Sequence, residues 1–232
     1  MLNLDEGARS PREQPRPIRL RSVLAAAALV MDAGLSALMI REYGWRVDLL
    51  RRVQAHDPVE RADLLASDRL ITLGSTLSLV FFVLTAIAFV AWFYRAQQNL
   101  RAFRAEPFEF TPSQAAWSFF IPFVNLARPY YVMREVWQAS DPSQPPFAET
   151  ARPTTGAPLV LAWWLLFLSR GVIGWAALVP LAAGQTVESV MSSGRVMRVA
   201  LALSVGAALV AATLVVRIMK RQESLAQSLG GR

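Results

Sequence analysis

Four apolar runs punctuate the chain, at Leu20–Ile40, Leu70–Tyr94, about Ala157–Ala183 and about Val196–Val216. Each holds at least the roughly 20 residues that a helix rising about 1.5 Å per residue needs to cross a hydrocarbon core. The second run, LITLGSTLSLVFFVLTAIAFVAWFY, lies uncharged between Arg69 and Arg95, and its Trp92 and Tyr94 fall where belt aromatics meet lipid headgroups. The pattern predicts an all-α integral membrane protein with four transmembrane helices.

The intervals between the runs are polar. Residues 1–19, which include RSPREQPRPIR, are too polar to bury a core and read as a disordered tail. The membrane domain then covers 20–219, and 220–232 forms a second tail. Basic residues before the first run, with small residues at Gly34–Ala37, also fit a signal peptide. Asp32 within the run and the orientation of the later spans favour an uncleaved anchor. Residues 41–69 read as a polar connection in which Asp57 caps a short helix begun by Pro58. In the last run Ala200, Ser204, Ala208 and Ala212 share one face, where small side chains let helix backbones approach closely for bundle packing or self-association.

The interval 95–140 departs from this scheme. Arg95 to Arg104 extends the second helix, with Arg95, Arg101 and Arg104 placed to meet lipid phosphates. Thr111 before Pro112 caps a new helix. Its apolar part, Ala115–Ala127, has 13 residues, too few for a crossing, and Pro122 breaks it. Asn125 can bond the backbone groups freed there. From Arg128 and Pro129 an amphipathic helix follows, with Tyr130, Met133 and Trp137 on one face. The expectation is an amphipathic or re-entrant helical elbow between the second and third spans.

Composition agrees with a membrane protein: 54% of residues are hydrophobic and 18% charged, with mean hydropathy +0.33. Lys and Arg number fifteen on the face shared by both tails and the elbow side, against eight on the other. By the positive-inside rule both termini are cytoplasmic, in the cell inner membrane. The net charge of +7 points to anionic headgroups as partners and not to nucleic acid, for which no module motif is present. Without cysteine and with His56 as the single histidine, thiolate and multi-imidazole metal sites are excluded. No H-E-x-x-H, P-loop or intramembrane Asp pair occurs, so neither cofactor nor catalytic residue is assigned.

The ordered residues Trp92, Tyr94, Arg95, Ala96 and Asn99, then Phe110 and Pro112, then Pro122, Asn125, Leu126, Arg128, Pro129 and Tyr130, then Met133, Glu135 and Trp137 carry a resemblance. Their pattern resembles the bacterial membrane proteins grouped as domain-of-unknown-function family 4328. The resemblance implies a multi-span bacterial membrane protein with a variable amino-terminal region, and it implies no activity.

Two sets of candidate site residues follow. Asp32 and Arg170 are the charges well inside predicted spans, each costing on the order of 2.5–3.5 kcal/mol on insertion scales. They read as an intramembrane ion pair that fixes packing, with a proton or ion pathway as the sharper alternative. Arg95, Asn99, Asn125, Arg128, Tyr130 and Glu135 form the second set. The plain reading of Arg128 and Glu135 is a local salt bridge; the sharper one has Asn99, Asn125 and Arg128 lining a pocket for a lipid phosphate. The functional expectation is a non-catalytic scaffold or sensor whose elbow binds anionic lipid, a protein partner or a second copy. The alternative is a small transporter or channel using Asp32 and Arg170, for which flux into liposomes that depends on Asp32 is the test.

Overall fold

Arg19–Gln54 forms one unbroken helix, α1, of 36 residues. At about 1.5 Å per residue it is far longer than a hydrocarbon core about 30 Å thick. The computed structural model describes residues 14–103, 108–143, 157–182, 184 and 186–230. Of the expected tail 1–19, residues 1–13 lie outside the described residues, as does most of the loop 141–153, while Arg16 is bonded to Asn99 and Ile18 is buried. After α1 come α2 (Arg61–Phe103), α3 (Pro112–Trp117), a single 3-10 turn (Val124–Leu126), α4 (Arg128–Ala139), α5 (Ala157–Ala176), the short α6 (Val179–Ala182) and α7 (Val187–Gly230). Four segments are long and apolar enough to cross a membrane: α1, α2, Pro158–Ala182 spanning α5 and α6, and Val187–Leu229 in α7.

The polar connection expected over 41–69 is not an independent loop. The first helix runs on to Gln54, the second starts at Arg61, and Asp57 and Pro58 lie in the hairpin between them. The turn closes in the manner of a Schellman motif: His56 takes φ 61, its N–H reaches Val53 O at 3.1 Å and the Asp57 N–H reaches Arg52 O at 3.0 Å. Arg46 pairs with Asp68 across this hairpin. Likewise α7 starts eight residues before Arg195 and packs onto the extension of α1, where a Cβ on Gly194 would press on Val47 at 2.9 Å and one on Gly44 would touch the Arg198 guanidinium at 3.5 Å. Helices that continue beyond the apolar window thus hold one another and need no loop.

The four long helices alternate in direction. The end bearing Arg19, Phe103 and Gly230 is called the lower end below. The first helix packs most extensively on α7, then on α2, while α5 packs on α7. Ala25, Leu29 and Ala33 of α1 and Ala208, Ala211 and Ala212 of α7 are all buried in one core, the close approach that small residues permit. The small-residue face expected on the last span therefore serves packing within the bundle, with Ala200 standing opposite Gly174.

The backbones of α2 and α5 keep apart, and rings bridge the gap between them. Phe89 lies 5.8 Å from Trp163. Beneath that pair the elbow fills the space. Thr111 caps α3 with a reciprocal box to Gln114, and Phe119 sets its ring against Phe89 at 6.0 Å and Phe93 at 5.7 Å. The Trp164 indole N–H donates to Leu126 O at 3.1 Å, which pins the loop to α5. Phe123, at φ 62 and 86% exposed, forms its outermost point. A bulky residue held there carries backbone strain of about 1–3 kcal/mol.

Candidate functional site

Polar side chains at the lower end of the bundle form a buried lock. Asn99, one turn beyond Arg95 on α2, accepts from the Arg16 N–H at 3.1 Å and donates to Arg16 O at 3.0 Å and to Gln222 Oε1 at 3.1 Å. Gln222 of α7 donates to Ala96 O at 3.0 Å and to Ser140 Oγ at 3.1 Å. Amides suit this place because each carries donors and an acceptor on one planar group. The lock ties the segment before α1, the end of α4 and both long helices together. Asn99 commits both amide hydrogens and its carbonyl oxygen to these bonds.

Glu135 does not pair with Arg128. Its Oε2 accepts from Gln97 Nε2 at 2.7 Å and its Oε1 from the Glu109 N–H at 2.7 Å. The same Gln97 amide donates to Phe110 O at 2.9 Å. Seven residues place Arg128 and Glu135 on one helix face, but α4 turns Glu135 inward against α2, while Arg128 forms no salt bridge among the described residues. Burial pushes the Glu135 carboxyl above its ordinary value, and the bonds from Gln97 and Glu109 only partly oppose this. A raised folded-state pKa means that the folded elbow holds its proton more tightly than the unfolded chain does. The stabilising contribution is complete below the ordinary carboxylate range and is lost as pH rises through the raised value. Amide exchange over residues 108–139 is therefore expected to slow as pH falls toward that range, after correction for intrinsic exchange, and Glu135→Gln is expected to abolish the trend. A trend of opposite sign would contradict the assignment.

Asn125 was expected to close the break at Pro122, but its side chain makes no hydrogen bond among the described residues. The break is closed by backbone bonds instead, Asn125 N–H to Ile121 O at 2.9 Å and Leu126 N–H to Phe123 O at 3.2 Å. Asn125 lines a cavity of about 340 Å³, together with Asp32 and Arg170. The Arg170 guanidinium lies 4.9 Å from the centroids of both Phe82 and Phe167. It has no N–O contact within 4.0 Å of Asp32. The two charges share a cavity without the direct ion pair expected of them.

Arg16 and Arg21 are the cations that act on Arg95 among the described residues, and its Nε is buried without a partner among them. Arg21 reaches over from α1 to donate to Ala91 O at 3.0 Å. Tyr130 sits edge-on to Tyr131 at 5.3 Å and packs on the core. Arg104 lies outside the described residues. The structure thus divides the six elbow residues: Asn99 joins the lock, Glu135 the α2 contact, Asn125 the cavity, Arg95 an arginine cluster and Tyr130 the edge of the core, while Arg128 forms no salt bridge among the described residues. Gln97, Gln222 and Ser140 were missed, since a lone polar residue near a helix end leaves no periodic trace. Among the described residues no three acidic or imidazole side chains converge as metal ligands.

Four long apolar helices, an irregular elbow packed between two of them and a cavity holding one acid and one guanidinium define a polytopic α-helical membrane protein. The chain belongs to the family described as Domain of unknown function (DUF4328), whose model matches residues 56–220. The match covers Arg170, the elbow and most of α7, and it starts after the helix that carries Asp32. No curated protein and no solved structure matches the chain.

Proposed function

We propose that this chain is a non-catalytic scaffold or sensor of the cell inner membrane, both termini cytoplasmic, whose lower end and elbow engage anionic lipid. One observation carries the reading: apolar side chains exposed on the elbow adjoin arginines that lack acidic partners. Trp117, Phe120, Phe123 and Leu126 are all more than half exposed, and α4 follows them directly with its Tyr131 and Arg134 outward. Arg16, Arg21, Arg95, Arg128 and Arg134 form no salt bridge among the described residues. Such a surface fits an interfacial element, with rings in the acyl region and guanidinium groups at phosphate level. Each cation near an anionic surface contributes about 1 kcal/mol.

Purified protein in nanodiscs is expected to unfold at higher temperature when phosphatidylglycerol replaces part of the phosphatidylcholine. The gain is expected to shrink in Arg128→Ala/Arg134→Ala and to fall with added salt. Equal protection of the wild type and the double variant would remove the support for this reading.

A further inference from the structure

The cavity between α1, α2, α5 and α7 lies well away from the basic lower end. Asp32, Phe82, Arg170 and Ser204 stand thirteen residues along their helices from Arg19, Arg95, Ala157 and Arg217 in turn, roughly 20 Å at about 1.5 Å per residue. All four line the cavity, and the elbow closes it from below through Phe119 and Asn125.

Asp32 and Arg170 are the only ionisable residues among the described ones that line it, and neither makes a hydrogen bond or a salt bridge among the described residues. Charged groups at such depth are costly unless paired. The Arg170 guanidinium carbon lies over the Phe82 and Phe167 rings, and its N–H groups have no hydrogen-bond partner among the described residues. The Ser204 hydroxyl donates to Ala200 O at 2.9 Å and that of Thr85 to Ala28 O at 3.3 Å, so both offer the cavity acceptor lone pairs. The donors remaining are the Arg170 guanidinium, the Asn125 amide and the Trp163 indole N–H; the charged acceptor is the Asp32 carboxylate.

This inventory selects an occupant by charge. An anion would meet Arg170 and leave Asp32 uncompensated, and a cation would do the reverse. A molecule that carries a carboxylate and an ammonium on one small frame meets both, while its apolar remainder contacts Phe89, Trp163 and Phe167. The volume of about 340 Å³ falls near the lower end of the roughly 300–1,000 Å³ range of ligand sites. We propose that the cavity binds a small zwitterion with an apolar body, of the class of a single aromatic or branched amino acid. The carboxylate sits on Arg170 as a two-pronged hydrogen-bonded pair, and the ammonium faces Asp32. Phe120 and Leu126 of the elbow line the cavity as well as facing outward, so the two sites adjoin there, whereas Arg134, on the basic part of the lipid surface, lies outside the cavity.

The test uses the full chain in nanodiscs with radiolabelled L-leucine, L-phenylalanine and L-tryptophan, competed by their N-acetyl derivatives, which lack the ammonium, and their methyl esters, which lack the carboxylate. Saturable binding of at least one zwitterion is expected, with both blocked forms competing at least tenfold more weakly. Arg170→Gln is expected to erase the preference over the methyl ester, Asp32→Asn that over the N-acetyl form, and Arg134→Ala to change neither. Three results would overturn the proposal: no saturable binding by any of the three, an N-acetyl form that competes as well as the free amino acid, or wild-type affinity in a folded Asp32 or Arg170 variant. The competition arm needs only the wild-type protein, so it decides the matter even if neither variant folds.

Discussion

Asn99→Leu is expected to release the segment before α1 and to destabilise the lower end of the bundle. The substitution removes both bonds to Arg16 and strands Gln222 Oε1. Gln222 is 1% exposed, so water does not replace the lost donor, whereas the exposed Arg16 backbone recovers solvent bonds. A buried acceptor left without a partner costs about 1–3 kcal/mol. Denaturation in mild detergent should show that loss, and the Arg16 amide should exchange freely. Gln222→Leu alone is expected to cost a similar amount by stranding the Asn99 amide hydrogen that donates to Gln222 Oε1. The double variant is expected to cost less than the two together, because removing both amides leaves neither facing the other. Strict additivity would show that Asn99 and Gln222 do not act as a unit.

That lock marks where reading the chain by pattern reached its limit. The spans were legible because the bilayer imposes a length: an uncharged interval as long as that from Arg69 to Arg95 suits a lipid-crossing helix and little else. The elbow was legible for the complementary reason, since 13 apolar residues broken at Pro122 are too short and too irregular to span. Asp32 and Arg170 stood out by cost, and both do line one cavity. The Arg170 guanidinium lies over the rings of Phe82 and Phe167 and not against Asp32, an arrangement that no spacing in the sequence encodes.

Other features depended on contacts between distant segments. Residues 41–54 carry charges and a tyrosine that read as a loop beside an apolar run, yet they are sound helix formers once α7 lies alongside. Near the end of α2, Arg95 and Arg101 read as headgroup contacts and Asn99 as part of a pocket for a lipid phosphate, while Gln97 carries no reading. Gln97 and Asn99 instead turn inward, because Glu135 and Gln222 arrive from elements 38 and 123 residues away. Polar residues at a membrane boundary are ambiguous between meeting lipid and meeting each other. The partner is what decides, and helix periodicity names only a face.

Trp137→Ala carries the second large expectation, since it removes the piece that joins α4 to α7. The ring is 2% exposed, and the Arg221 guanidinium carbon stands 3.9 Å over its centroid. The same arginine donates to the Trp137 carbonyl at 3.0 Å, so the side chain and backbone of one residue hold one cation. Truncating a buried tryptophan costs about 3–5 kcal/mol, of which a partly desolvated cation–π contact supplies about 0.5–2 kcal/mol. Trp137→Phe separates the two contributions: it keeps a ring under Arg221 and removes an indole N–H that has no partner among the described residues. Most of the loss is therefore expected to return in the phenylalanine variant. Arg221→Met keeps the long apolar stem while deleting the charge, and in the Trp137→Ala background it is expected to cost only the carbonyl bond. A phenylalanine variant as damaged as the alanine one would show that the fit of the full indole, and not the ring beneath a cation, seats the elbow on α7.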